Sequence, residues 1–257
     1  MQITRIIKKG QDKYQVDFNT KDCLILYEDV LIRHALSLEK EIDQNLFKKL
    51  KKENEEAEVY FLVLKYLKYR FRSEYEVITY LKRKRYKRYL INKTIKRLKK
   101  EGHLNDKLFM EAFIHDKFNF TNDGPYKIKR ELLNHQLEES LIEDFFLKID
   151  QELLKEKLKG IIQKQIKINT KYSGYLLKQK LFNYLFNLGY DKEMILEELN
   201  TKELSNQDNL KEEYDKLYKL LKGKYKGKQL DFKIKQRLYQ RGYNIDEIEY
   251  LLTKNDF

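Results

Sequence analysis

Between Lys100 and Phe118 the chain reads KEGHLNDKLFMEAFIHDKF, which sets two of its four histidines among acids. Glu111 and His115 lie four residues apart and would share one helix face. With His103 and Asp116 they could offer nitrogen and oxygen ligands to a divalent cation. The pattern argues against that chemistry. HExxH spacing is missing, no second ligand pair stands on another helix, and Phe109, Phe113, Phe118 and Phe120 mark the segment as a packing element. Asn105 or Asp106 reads instead as the N-cap of a helix that starts after Gly102 has ended another. The remaining catalytic signatures are absent: there is no GxxxxGK[ST] loop, no GxSxG elbow and no Cys/His pairing around Cys23, whose LILY surroundings read as a buried strand. Paired carboxylates such as Glu138 and Glu139 are ordinary in a helix this charged. The expectation is a protein with no catalytic residues, no cofactor and no metal.

Charge offers more. From Lys65 to Lys100 there are fifteen Lys and Arg against two acids, Glu74 and Glu76, a local excess equal to the +13 of the whole chain. The densest run is KRKRYKR, and the candidate binding residues are Lys82, Arg83, Lys84, Arg85, Lys87, Arg88, Lys93, Lys96 and Arg97. Tyr66, Tyr69, Phe71, Tyr75, Tyr80, Tyr86 and Tyr89 are interleaved with them. Cations neutralise phosphates and rings stack on bases, so the strip suits an anionic partner, either DNA or an acidic protein groove. In the competing reading, the tyrosines fill a core and the charges are a solvated face.

These residues must be held by helices. One Pro and nine Gly in 257 residues leave few interruptions, and Lys, Glu, Leu and Ile dominate. The first fifty residues differ. ITRIIKK and KYQVDF flank the turn signal Gly10-Gln11-Asp12, DCLILY follows, and a small antiparallel sheet is expected. EDVLIRHALS and DQNLFKKLKKEN then read as two short helices. A single cysteine excludes an internal disulfide, and neither a signal peptide nor a membrane span is indicated, so a cytoplasmic protein is expected.

Beyond residue 54 the apolar positions return at offsets of 51, 53 and 53. The columns are Val77, Ile128, Leu181, Ile234; Leu81, Leu132, Leu185, Leu238; Tyr86, Leu137, Tyr190, Tyr243; Ile91, Ile142, Ile195, Ile248; and Ile95, Phe146, Leu199, Leu252. Their spacing describes two short helices per repeat, preceded by a longer amphipathic one. The expected organisation is a sheet with short helices over 1–53, then three-helix repeats over 54–102, 103–149, 150–202 and 203–257, forming an elongated array. In repeats 3 and 4 the joint between the short helices is Gly189-Tyr190 and Gly242-Tyr243, where Gly suits the left-handed end of a helix. Asp191, and Asn244 with Glu247, then supply caps. Repeats 1 and 2 have Arg85 and Gln136 in place of that Gly, which would cost on the order of 1 kcal/mol if left-handed and leaves their turns open.

The order RSEYEVITYLKRK, IKRLKKEGHLNDKLFMEAFIHDKF and GPYKIKRELLNHQL resembles the RecX family, regulators of the RecA recombinase. The matching positions are Arg72, Ser73, Glu76 and Leu81; Gly102, Leu104, Asn105, Asp106, Phe109 and Ala112; and Gly124, Pro125, Ile128, Glu131 and Leu132. Gln136 departs from the family's usual Gly, as does Arg85 at the corresponding place in repeat 1. The resemblance is specific over about residues 70–137, and the N-terminal sheet is similar to that of Gram-positive members. It implies tandem three-helix units that lie, as a monomer, in the groove of the RecA filament. There they restrain filament extension, ATP hydrolysis and strand exchange, by binding and not by catalysis. Single- or double-stranded DNA is the other candidate partner, with a stand-alone DNA-binding helical module as the alternative function.

Overall fold

The computed structural model describes residues 1–169, 171–201 and 207–255. Its N-terminal sheet has the order β1 (Ile3–Lys8), β2 (Lys13–Phe18), β3 (Cys23–Tyr27), antiparallel throughout. Period-two alternation sends Ile3, Val16, Phe18 and Leu26 to a buried face. Cys23 and Ile25 share the opposite face, so Cys23 is in the expected strand but exposed, and Ile25 is 53% exposed. The free edge of β3 is covered by Asn54, whose amide donates to the Ile25 carbonyl (2.7 Å) and accepts from the Tyr27 N–H (2.8 Å).

Thirteen helices follow among the described residues: α1 (Glu28–Arg33), α2 (Gln44–Leu67), α3 (Glu74–Arg83), α4 (Arg88–Lys100), α5 (Asp106–Phe120), α6 (Pro125–Asn134), α7 (Glu139–Phe146), α8 (Gln151–Ile168), α9 (Gly174–Asn187), α10 (Lys192–Asn200), α11 (Gln207–Leu221), α12 (Lys228–Gln240) and α13 (Ile245–Asn255). From α2 onward they form four three-helix repeats after the sheet. The stretch DQNLFKKLKKEN is not a separate short helix: Asp43 caps α2 through the Leu46 N–H, and the helix runs unbroken for 24 residues. Nothing between Gln44 and Leu67 can stop it, since neither Gly nor Pro occurs there. Two cores share this helix. Phe47, Leu50 and Ala57 pack under the sheet with Val30 and Ile42, while Val59, Tyr60 and Val63 pack with α3 and α4. The boundary expected at 53 and 54 therefore falls inside a helix, and the one expected at 202 and 203 lies outside the described residues.

By compactness the chain divides into one unit of residues 1–113 with 135–137 and a second of 114–134 with 138–257. Within the first lie the sheet core and the core of α2 to α4. Within the second, α8 to α10 and α11 to α13 each enclose a cluster of their own. Of the twenty column positions, seventeen are buried, and Tyr86, Phe146 and Leu252 are half-buried. No helix among the described residues is long and apolar enough to cross a membrane.

Candidate partner-binding surface at the first helix joint

The joint of repeat 1 begins where α3 stops. The Tyr86 N–H bonds the Leu81 carbonyl (3.2 Å) and the Arg85 N–H bonds the Lys82 carbonyl (2.9 Å), the paired bonds of a Schellman motif. Repeats 3 and 4 make the same pair, from Tyr190 to Leu185 with Gly189 to Phe186, and from Tyr243 to Leu238 with Gly242 to Tyr239. The apolar contact that accompanies this motif explains two of the sequence columns, Leu81 with Tyr86 and their equivalents. Arg85 (φ 64°) and Gln136 (φ 57°) take the same left-handed conformation as Gly189 (φ 87°) and Gly242 (φ 88°). The turn left open by the sequence at Arg85 is thus the turn of Gly189 and Gly242, and Gln136 shares its left-handed residue.

What separates the joints is their surroundings. A Cβ on Gly189 would stand 2.4 Å from the Lys127 nitrogen, and one on Gly242 would stand 2.3 Å from the Ser173 carbonyl oxygen. Here the end of each helix seats on the start of another: Tyr126 donates to the Gly189 carbonyl (3.0 Å), and Ser173 to that of Arg241 (2.9 Å). Gly124 has its own reason, because a Cβ there would meet the Gly189 backbone at 2.6 Å. Arg85 and Gln136 are exposed, so their side chains meet only the backbone strain.

That exposure puts charge in solvent. Lys82, Arg83, Lys84, Arg85, Lys87, Arg88 and Lys96 are all exposed. Among the described residues none of them makes an ion pair; Lys84 lies 5.9 Å from the Tyr80 ring. Lys87 is the N-cap of α4 but offers no capping oxygen, and no acid stands in the first turn. The equivalent helices begin with Glu138 and Glu139, with Asp191, whose carboxylate accepts from the Glu193 and Met194 N–H groups, and with Asn244 and Asp246. Carboxylates at a helix N-terminus stabilise it and cations oppose its dipole, so Lys87 and Arg88 put positive charge where helix physics disfavours it, whereas Lys82 and Arg83 stand in the last turn of α3, where it is favoured.

Two members of the strip are engaged elsewhere. Lys93 pairs with Glu56 at 2.5 Å. Arg97 binds Glu101 (2.9 Å) and Asp29 (3.2 Å) and lies over the Tyr60 ring at 3.7 Å, tying α4 to α1 and α2. Burial and the hydrogen bond from its hydroxyl to Glu101 push Tyr60 up to about 12. The aromatics divide in the same way. Tyr66 and Tyr80 stack on each other at 4.2 Å, with Arg72 over Tyr66, whereas Tyr69, Phe71, Tyr75 and Tyr89 are exposed.

The motif residues hold this frame in place. Ser73 and Glu76 form a capping box on α3, and Asp106 accepts from the Glu74 N–H (2.8 Å). Gly102 (φ 77°) ends α4, Leu104 is buried, and Asn105 caps α5 through Lys107 and Leu108. Asp106 therefore secures α3, thirty-two residues away, a role that local sequence does not reveal. On α5, Phe109 is buried as expected, Ala112 and Phe113 are half-buried, and Met110 and Ile114 are the further buried residues. Phe109 and Phe113 pack edge-on against His135. His103 and His115 are exposed, His115 facing Asp116 at 3.5 Å. Among the described residues no three of His, Cys, Asp and Glu converge.

In the second unit Pro125 opens α6, and Ile128 and Leu132 are buried. Asp123, 7% exposed, pairs with Lys127 (2.5 Å) and Lys117 (3.2 Å), and Lys117 also reaches Glu131 (2.6 Å). Burial alone would raise the Asp123 carboxyl, but hydrogen bonds from the two lysines more than offset it and hold it below the usual carboxylate range. Lys157 donates to the Phe118 carbonyl, and burial lowers its pKa.

Residues 60–98 match the family model described as RecX, first three-helix domain, and residues 105–144 match RecX, second three-helix domain. A curated Regulatory protein RecX from Halalkalibacterium halodurans is 33% identical over 253 residues, covering 96% of this chain and 92% of its own. One from Bacillus cereus is 31% identical over 252 residues, covering 96% and 90%. A crystal structure of regulatory protein RecX superposes with a TM-score of 0.67 at 21% identity, over 78% of this chain and 99% of that one. RecX from Lactobacillus salivarius does so with 0.52 at 23%, over 57% and 97%. Similarity at this level along nearly the whole length places the chain in the RecX family of regulatory proteins.

Proposed function

We propose that this chain is a non-enzymatic regulator that binds the groove of the RecA filament and restrains its ATP hydrolysis, extension and strand exchange. It acts as a monomer in the cytoplasm. The observation that carries the reading is the joint of repeat 1: seven exposed cations, free of ion pairs among the described residues, lie in or near it, and two of them, Lys87 and Arg88, occupy a helix start where the other repeats place acids or Asn. A solvated face has no reason to invert that charge at some cost to helix stability. An anionic partner surface does. Lys82, Arg83, Lys84, Arg85, Lys87, Arg88 and Lys96 carry the contact, while Lys93 and Arg97 serve mainly to hold α4 against α1 and α2.

The test is inhibition of RecA's DNA-dependent ATP hydrolysis at protein amounts too small to coat the DNA. Wild type inhibits there, and more weakly as salt rises, because surface charges are screened. A variant with Arg83→Glu, Arg85→Glu and Arg88→Glu loses most of the inhibition with unchanged helical content. Undiminished inhibition would remove the strip from the account. Phosphates would suit the same cations, so a second reading makes the strip a primary DNA site; inhibition that appears only when the DNA is saturated supports that reading instead.

A further inference from the structure

On the C-terminal half of α2 a groove of about 570 Å³ opens between the β1–β2 turn and the turn that follows α4. Phe61, Leu64, Leu67 and Phe71 line it, and Phe71 is 56% exposed. Lys65 and Lys68 stand on its rim, exposed and without an ion pair among the described residues, whereas Arg70 is held by Glu76 at 2.5 Å. Asp12 is the one acid in the lining. Phe61 to Lys68 spans about 10 Å along the helix, room for two turns of a docked helix or a few extended residues.

We propose that this groove is a docking site for an acidic, amphipathic protein segment. Apolar side chains of that segment enter between Leu64, Leu67 and Phe71, and its carboxylates meet Lys65 and Lys68. The inference goes beyond the function proposed above and does not depend on it. Charge complementarity and the lining choose the occupant together. At the repeat 1 joint, cations crowd the end of one helix and the start of the next, as phosphates or a carboxylate-rich surface would require. Here two cations flank a trough in which Phe61 is already stacked on Tyr27 (4.8 Å), so Phe71 is the one exposed phenyl ring of the lining for a base to stack on, while Leu64 and Leu67 beside it give an apolar side chain somewhere to be buried.

The full chain, immobilised, is panned against a phage library of short random peptides. Enriched peptides should carry Asp or Glu around apolar residues spaced three or four apart. Their affinity, read by fluorescence anisotropy, should fall about tenfold or more both in Lys65→Glu/Lys68→Glu and in Phe71→Ser, each with unchanged circular dichroism. Neither pair nor ring lies in a core, so both variants should fold. Absence of enrichment, enrichment of neutral or basic peptides, or acidic peptides indifferent to either variant would overturn the proposal. So would a labelled oligothymidylate that binds wild type and is lost to Phe71→Ser, since that outcome assigns the groove to nucleic acid.

Discussion

The joints at Arg85 and at Gly189 share one backbone turn and differ in almost everything else. At Gly189 the left-handed residue touches the backbone of α6, and the following helix starts with a capping aspartate. At Arg85 the residue points into solvent, and the following helix starts with Lys87 and Arg88. Where a joint is packed, close approach dictates glycine; where it is open, only backbone strain opposes a side chain, and that strain is on the order of 1 kcal/mol. A repeat thus keeps its geometry while one copy of its turn is turned over to surface chemistry.

Four substitutions separate these effects, the largest first. Gly189→Ala should destabilise the protein by about 3 kcal/mol in urea, because a clash with Lys127 is added to the strain of a positive φ. A loss no larger than the strain alone would show that the packed joint yields easily. Asp123→Asn should cost about 2 kcal/mol at neutral pH, less than a fully buried pair because both lysines are partly exposed. The Asp123 carboxyl is depressed in the folded state, so its contribution is present above the unfolded value of about 4 and is lost as pH falls through the folded one. The gap between variant and wild type in urea midpoint should therefore close below about pH 4. Lys87→Asp supplies the missing cap and should stabilise by about 1 kcal/mol while weakening the anionic partner. Arg85→Gly relieves strain but loosens the unfolded chain, for a net gain below about 1 kcal/mol. A gain at Lys87 with no change in partner binding would break the link between the disfavoured charge and function.

Much of this was legible in the residues. The four repeats follow from helical periodicity, and the Schellman turns follow from Gly-Tyr at two joints. The strip's exposure is consistent with its charge density. What was not legible depends on distant partners. Arg85 and Gln136 carry no mark of a positive φ, and only their register with Gly189 and Gly242 hints at it. Arg97 reads as one more cation of the strip until Asp29, sixty-eight residues away, takes it into an ion pair. Cys23 sits in an apolar run, yet strand alternation turns it outward. The start of α2 looks separate because its buried residues serve a different core from those of its second half.

The central claim is that the open joint of repeat 1 is the partner surface. A crosslinking map between this protein and a RecA filament tests it most directly. The account predicts that crosslinks concentrate at residues 82–88 and at Lys96, and that they disappear in the Arg83→Glu/Arg85→Glu/Arg88→Glu variant. A filament-bound protein whose crosslinks avoid that joint, and persist in the variant, would contradict it.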